Sequence, residues 1–177
     1  MSPARARRYG NTEQVMRGNL RGQEPILSPA LVTGAVTSVA TTAVLAALAR
    51  AEGKGALQPT NSTSHWLHGD SAGRVRQADI GHTLLGYATH HASAVFWAVP
   101  FHWWLSRRPP RSRYGLLREA AFMAAIAAAV DYGLVPRRLT PGWETVLSKR
   151  SIVATYAALA VGLAACAMLS QDRNLTR

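Results

Sequence analysis

Three long stretches of the chain, 26–49, 80–106 and 151–171, contain no Lys, Arg, Asp or Glu. A helix needs roughly 20 apolar residues, at about 1.5 Å rise each, to cross about 30 Å of hydrocarbon, and each stretch is long enough. A helix on the surface of a soluble protein returns charges every turn or two, and these do not. They are expected to be transmembrane. A fourth apolar run, AAFMAAIAAAVDYGLVP, has a short uncharged core between Glu119 and Asp131. Extended over 114–135 it places its charges near the span ends, where insertion costs less, and it leaves no long apolar segment unassigned. The other reading is an Ala-rich surface or re-entrant helix.

The pattern therefore predicts an all-α, polytopic integral membrane protein. Four transmembrane helices, about 27–49, 80–105, 114–135 and 151–170, form one compact bundle over 26–170. A flexible basic segment, 1–25, precedes it and a polar tail, 171–177, follows. Spans one, three and four are rich in Ala, Gly, Ser and Thr, which lets helices in lipid approach closely enough for dispersion contacts. A second copy can be engaged in the same way, so a homo-oligomer is a possible state.

The connections carry their own signals. The first, about 30 residues, is too long for a hairpin turn. Asn61 or Ser64 is expected to cap a short interfacial helix over HWLHGD, with Trp66 and Leu67 pointing into lipid. In the second, SRRPPRSR, two prolines end the helix and four arginines hold the loop in water and headgroups. In the third, Thr140 with Pro141 reads as an N-cap and first-turn proline opening a short amphipathic helix.

A net charge of +11 first suggests nucleic acid, but the basic residues sit between the apolar runs, as in membrane proteins. No nucleic-acid partner is expected; the bilayer is, with anionic lipids at the basic loops. Arg5, Arg7, Arg8, Arg17, Arg21, the second loop and the tail residues Arg173 and Arg177 hold eleven basic residues. The first and third loops hold eight. The positive-inside rule then places both termini in the cytoplasm of a multi-pass cell-membrane protein. The first 25 residues lack an apolar signal region, and Glu13 and Glu24 argue against a transit peptide. Cys166, the single cysteine, excludes an internal disulfide.

The second span, with His82, His90, His91 and His102, carries the candidate chemistry. At about 100° per residue, His82, Gly86, Thr89, His90 and Ser93 share one flank, expected to face the bundle. His91 falls opposite, and His102 lies near the line of His91 but about 16 Å along the axis. The four imidazoles cannot meet on one ion within a single helix. Bis-histidine haem would need facing ligands that spans one, three and four do not supply, and no haem is expected. Zinc or a similar divalent ion has a candidate set in His65, His68, Asp70 and His82. No cofactor is predicted beyond that possibility.

Asp131 lies level with the interval between His82 and His90, where a carboxylate–imidazole pair can carry protons or lock two helices together. Locking is the plainer reading, and Glu119 with His102 can pair similarly. Trp97, Trp103 and Trp104 with Arg107 and Arg108 read as membrane-interface anchors. The leading functional expectation is a small non-enzymatic membrane protein of envelope assembly, maintenance or stress response. The alternatives are a proton- or metal-linked transporter or sensor using the His/Asp cluster, and a membrane-embedded metalloenzyme.

Overall fold

The computed structural model describes residues 26–175, with side chains as far as Ser170. The basic segment 1–25 and most of what was expected of the tail lie outside the described residues. Within them the chain is all helical, with no strand. Four long helices occur: α1 (Leu27–Ala51), α4 (Leu85–Arg107), α5 (Arg113–Gly133) and α6 (Lys149–Leu175). Two short ones, α2 (Gln58–Ser62) and α3 (His65–His68), lie in the first connection. Two of the long helices, α1 and α6 as far as Ser170, are long and apolar enough to cross a membrane. The composition of α4 and α5 falls short because histidines and indoles dilute one, and Arg113, Arg118, Glu119 and Asp131 the other.

Local chemistry sets the helix ends. α1 tolerates Pro29 in its first turn, where the missing N–H has no intrahelical partner to lose. It ends at Gly53 (φ 71°), with Gly53 N–H donating to Arg50 O at 3.0 Å and Lys54 N–H to Ala49 O at 2.8 Å. That pair of bonds closes a Schellman motif, and glycine takes its left-handed position without steric cost. Ahead of α4, Asp79 accepts from His82 N–H at 2.9 Å while its own N–H donates to Thr83 Oγ at 3.0 Å. The first turn, Ile80–Leu84, is wound as a π-turn before regular α geometry begins. Ser112 caps α5 by accepting from Gly115 N–H at 3.0 Å. Pro136 lies three residues past the end of α5.

α1 is the hub. It packs along α4 on one side and α6 on the other, α5 leans on α6, and α4 and α5 touch only lightly. Its buried positions, Ala30, Thr33, Gly34, Thr37, Ser38, Thr41, Leu45 and Ala49, recur every three or four residues as a single stripe. Close approach depends on glycine at both contacts. A Cβ at Gly34 would stand 2.5 Å from Val95 Cα, and one at Gly162 would stand 2.9 Å from Thr37 Cγ2.

The first and third connections fold together into a cap over one end of the bundle. The polar run from Gln58 to His65 is buried throughout. Its groups are satisfied internally: Gln58 Nε2 donates to Gly73 O at 2.8 Å, and Asn61 Nδ2 donates to Val75 O and Gln77 O at 2.8 and 3.0 Å. Thr83 Oγ donates to Asn61 Oδ1 at 2.6 Å, joining the cap to the start of α4. Gly86 and Gly142 let the cap seat, because a side chain at either would collide with the carbonyls of Thr60 and Ser62 respectively.

The helix expected over HWLHGD is present as α3, with Ser64 at its N-cap position but without a side-chain cap bond; the rest of both interfacial-helix expectations needs correction. Asn61 caps no helix but is a fully buried hydrogen-bonding knot, which also closes its NST sequon to any modifying enzyme in the folded state. Leu67 does point outward, yet Trp66 turns back and donates from Nε1 to Thr89 Oγ on α4 at 3.2 Å. In the third connection the expected amphipathic helix is only a three-residue 3₁₀ turn, Trp143–Thr145. Gly142, at φ 81°, breaks the helical path there, and the Thr140 hydroxyl lies against the Glu144 carboxylate and Arg137 O instead of capping.

Candidate functional site

Three histidines of α4 meet three hydroxyls of α1, one pair per level. His90 Nε2 lies 2.8 Å from Thr41 Oγ, His91 Nδ1 2.9 Å from Ser38 Oγ, and His102 Nε2 2.9 Å from Thr33 Oγ. The helices run antiparallel, so the rungs descend one helix as they climb the other. Two tautomers follow from proton counting. Thr41 Oγ donates to the carbonyl of Thr37 at 2.8 Å, and Ser38 Oγ to that of Ala35 at 2.8 Å. A hydroxyl has one proton, so with that proton on the carbonyl the imidazole is the donor at these rungs, Nε2 in His90 and Nδ1 in His91. In that arrangement His90 keeps Nδ1 as a lone-pair acceptor, and His91 keeps Nε2.

This arrangement differs from the expected stripe. The buried face of α4 is Gly86, His90, Ala94, Ala98 and Phe101. Ser93 is exposed and His82 sits at the entry to the helix, while His91 and His102, expected on the far side, reach α1. α1 and α4 pack so closely at Gly34 that residues flanking the buried line also find partners. Nothing in the histidine spacing identifies those partners. The hydroxyls of α1 do, recurring at 33, 37, 38 and 41 along its buried stripe.

Asp131 pairs across α5 and α6, where Tyr156 Oη donates to its Oδ2 at 2.6 Å. His90 and Asp131 nonetheless line one small internal cavity of about 30 Å³, shared with Thr41, Trp97, Trp143, Thr155 and Tyr156. That is about enough room for one water. Trp143 descends from the cap as its lid, with its ring 5.6 Å from His90 and 5.8 Å from Tyr156. Its Nε1 donates to Thr63 Oγ at 3.2 Å. On the outer side of the same Trp143 and His90 lies a larger pocket of about 280 Å³, walled by Trp66, Pro141 and Leu139 and edged by Thr63, Thr89, Ser93 and Thr140.

Glu119 does not pair with His102. It accepts from Trp104 Nε1 at 2.8 Å and from Arg118 at 2.8 Å, while His102 is taken by Thr33. The aromatic group divides in two. Trp103 and Trp104 sit under the Arg107 and Arg108 guanidinium groups at 5.2 and 4.7 Å. Trp97, a turn and a half deeper, lines the internal cavity.

The candidate metal residues scatter into pairs. His65 Nδ1 is 3.9 Å from Asp70 Oδ1, and its Nε2 is 2.9 Å from Thr140 O. His82 Nδ1 is 2.7 Å from Asp79 Oδ2, and its ring stacks 4.4 Å from that of His68. Among the described residues no three His, Cys, Asp or Glu side chains stand together as a metal would require. Asp79, absent from the expected set, is held below the ordinary carboxylate range first by the His82 backbone N–H and then by the His82 ring. Glu52, just past α1, is likewise held low, first by the Ser148 hydroxyl and then by that of Ser151 at the start of α6.

The chain matches no family model, no curated protein and no solved structure.

Proposed function

We propose that this chain is a small, non-enzymatic, four-span protein of the cell membrane that serves envelope assembly or maintenance as a rigid helical scaffold. The observation that carries the reading is an inverted distribution of polarity. Thr33, Thr37, Ser38, Thr41, His90, Ser151 and Thr155 are buried. Large apolar side chains face outward on all four long helices: Leu31, Val32, Val36 and Val39 on α1, Phe96 on α4, Phe122 on α5, Val153 and Val161 on α6. In water so large an apolar exterior would drive aggregation. The most apolar stretches of α1 and α6 are only 33% and 39% buried, leaving most of their surface for lipid.

The scaffold reading rests on how the reactive groups are used. Each deep imidazole is bonded to an α1 hydroxyl and Asp131 to Tyr156, so they fasten helices together. The cap lies on the outer face if the charge bias sets the orientation, and the arginines of the second loop then meet anionic lipid on the inner face.

Carbonate extraction of membranes tests integration, with the chain expected to stay in the pellet. Reporter fusions after Thr60, Pro110 and Thr145 test the path. Opposite signals at Pro110 and Thr145 support a third span; identical signals would remove it. A cytoplasmic signal at Thr60 would reverse the orientation.

A further inference from the structure

We propose that the pocket between α4 and the cap binds a neutral, ring-bearing amphiphile, a phenol dissolved in the bilayer, whose hydroxyl donates to His90. Four observations converge. First, none of the residues lining the pocket carries a formal charge, which suits an uncharged ligand. Second, its walls are flat and apolar, formed by the indoles of Trp66 and Trp143 and the ring of Pro141. At about 280 Å³ the pocket holds one ring and the start of a tail, near the lower end of small-molecule sites.

Third, His90 is nine-tenths buried, and its Nε2 is engaged by the Thr41 hydroxyl. Because Thr41 spends its proton on the Thr37 carbonyl, His90 donates from Nε2, and its Nδ1 lone pair has no donor among the described residues. That nitrogen is not fully enclosed, so a hydroxyl in the pocket can reach it and supply the donor it lacks. Fourth, the place is open. α4 and α5 make only light contact, and Ser93, at the pocket edge, is exposed beside that seam. A molecule in the lipid can enter there with its tail trailing along the seam. A carboxylate or phosphate headgroup would find neither a cation nor a second donor of comparable depth in the pocket. A simple alkyl chain would leave the His90 acceptor unmet.

The lipid entrance rests on the four-span reading. Carbonate extraction reports on that reading alone, so a membrane-bound chain that ignores the probe would sink only the pocket assignment. The test uses the full chain in nanodiscs, a medium-chain alkyl hydroquinone as probe, and protein-free nanodiscs as baseline. Saturable binding above baseline is expected, with quenching of tryptophan emission. The dimethyl ether of the same probe, which cannot donate, should bind about tenfold more weakly, the loss of about 1.4 kcal/mol that one such bond represents. Ser93→Trp, placed at the exposed rim to fill the pocket, should weaken binding by at least about tenfold while the melting temperature holds. His90→Phe should abolish the difference between hydroquinone and ether. Equal binding of hydroquinone and ether to the unaltered chain, or full binding by Ser93→Trp, would overturn the assignment.

Discussion

The Tyr156 hydroxyl donates to the Asp131 carboxylate at 2.6 Å, tying α6 to α5 beside the internal cavity. Phe at position 156 would leave a partly buried carboxylate without that donor, at a cost of about 1–3 kcal/mol. The same change in an Asp131→Leu background should cost much less, since no acceptor remains to be stranded. Thermal melting of the four proteins in detergent gives the comparison. Equal losses in both backgrounds would mean that the bond contributes nothing.

The imidazole–hydroxyl rungs make a similar prediction with smaller numbers. Polar pairs between helices in lipid couple by about 0.6 kcal/mol on average and up to about 1.7. Thr41→Val with His90→Leu, and Ser38→Ala with His91→Leu, should each show coupling in that range in a double-mutant cycle. The Thr41 rung should couple more strongly than the Ser38 rung, because both of its members are buried.

Glycine 34 and glycine 133 should respond in opposite directions to alanine. At Gly34 the new methyl meets the backbone of Val95, and overpacking of this kind costs about 1–3 kcal/mol. At Gly133 nothing lies within 4 Å of the added carbon, so alanine should be neutral or stabilise by up to about 1 kcal/mol through the unfolded chain. Melting temperatures of the two single variants decide it.

Glu52 gives the bundle an acid-sensitive joint. Its Oε1 accepts from Ser148 Oγ at 2.6 Å and Ser151 Oγ at 2.5 Å, and these bonds hold its carboxyl below the ordinary glutamate value of 4.5. A carboxyl whose folded pKa is depressed adds stability that is fully present above its unfolded pKa. That contribution is lost as pH falls through the folded value. Unfolding midpoints should therefore drop below about pH 4.5 in the native chain, and Glu52→Gln should flatten that part of the profile. An unchanged slope in the variant would assign the acid sensitivity elsewhere, Asp79 being the next carboxyl to test.

The four long helices were legible because lack of charge and length are properties of single segments, read without knowing what lies opposite. Their ends shifted by a few residues where capping decided them, as at Gly53. The cap was not legible. A run such as QPTNSTSH has the composition of a solvated loop, and only its partners in Gly73, Val75, Gln77 and Thr83 make its burial affordable. The same holds for the histidines. Helical angles place His91 and His102 correctly relative to each other, yet which line faces the protein depends on α1, and Gly34 permits that approach. Trp143 gave no signal at all, since one indole in a short connection looks the same whether it floats at an interface or closes a cavity.

With α1 at the centre, the order of synthesis matters. The helix made first gains one neighbour only when α4 leaves the ribosome, and its other neighbour, α6, is the last long helix to be made. Until then its row of hydroxyls can satisfy itself only by bonding back to its own carbonyls, as Thr41 and Ser38 still do in the finished protein. On the four-span reading α1, made before α4, α5 and α6, waits in the bilayer as an unpaired template, and loss of an α4 histidine should be felt during insertion, before there is a bundle to destabilise.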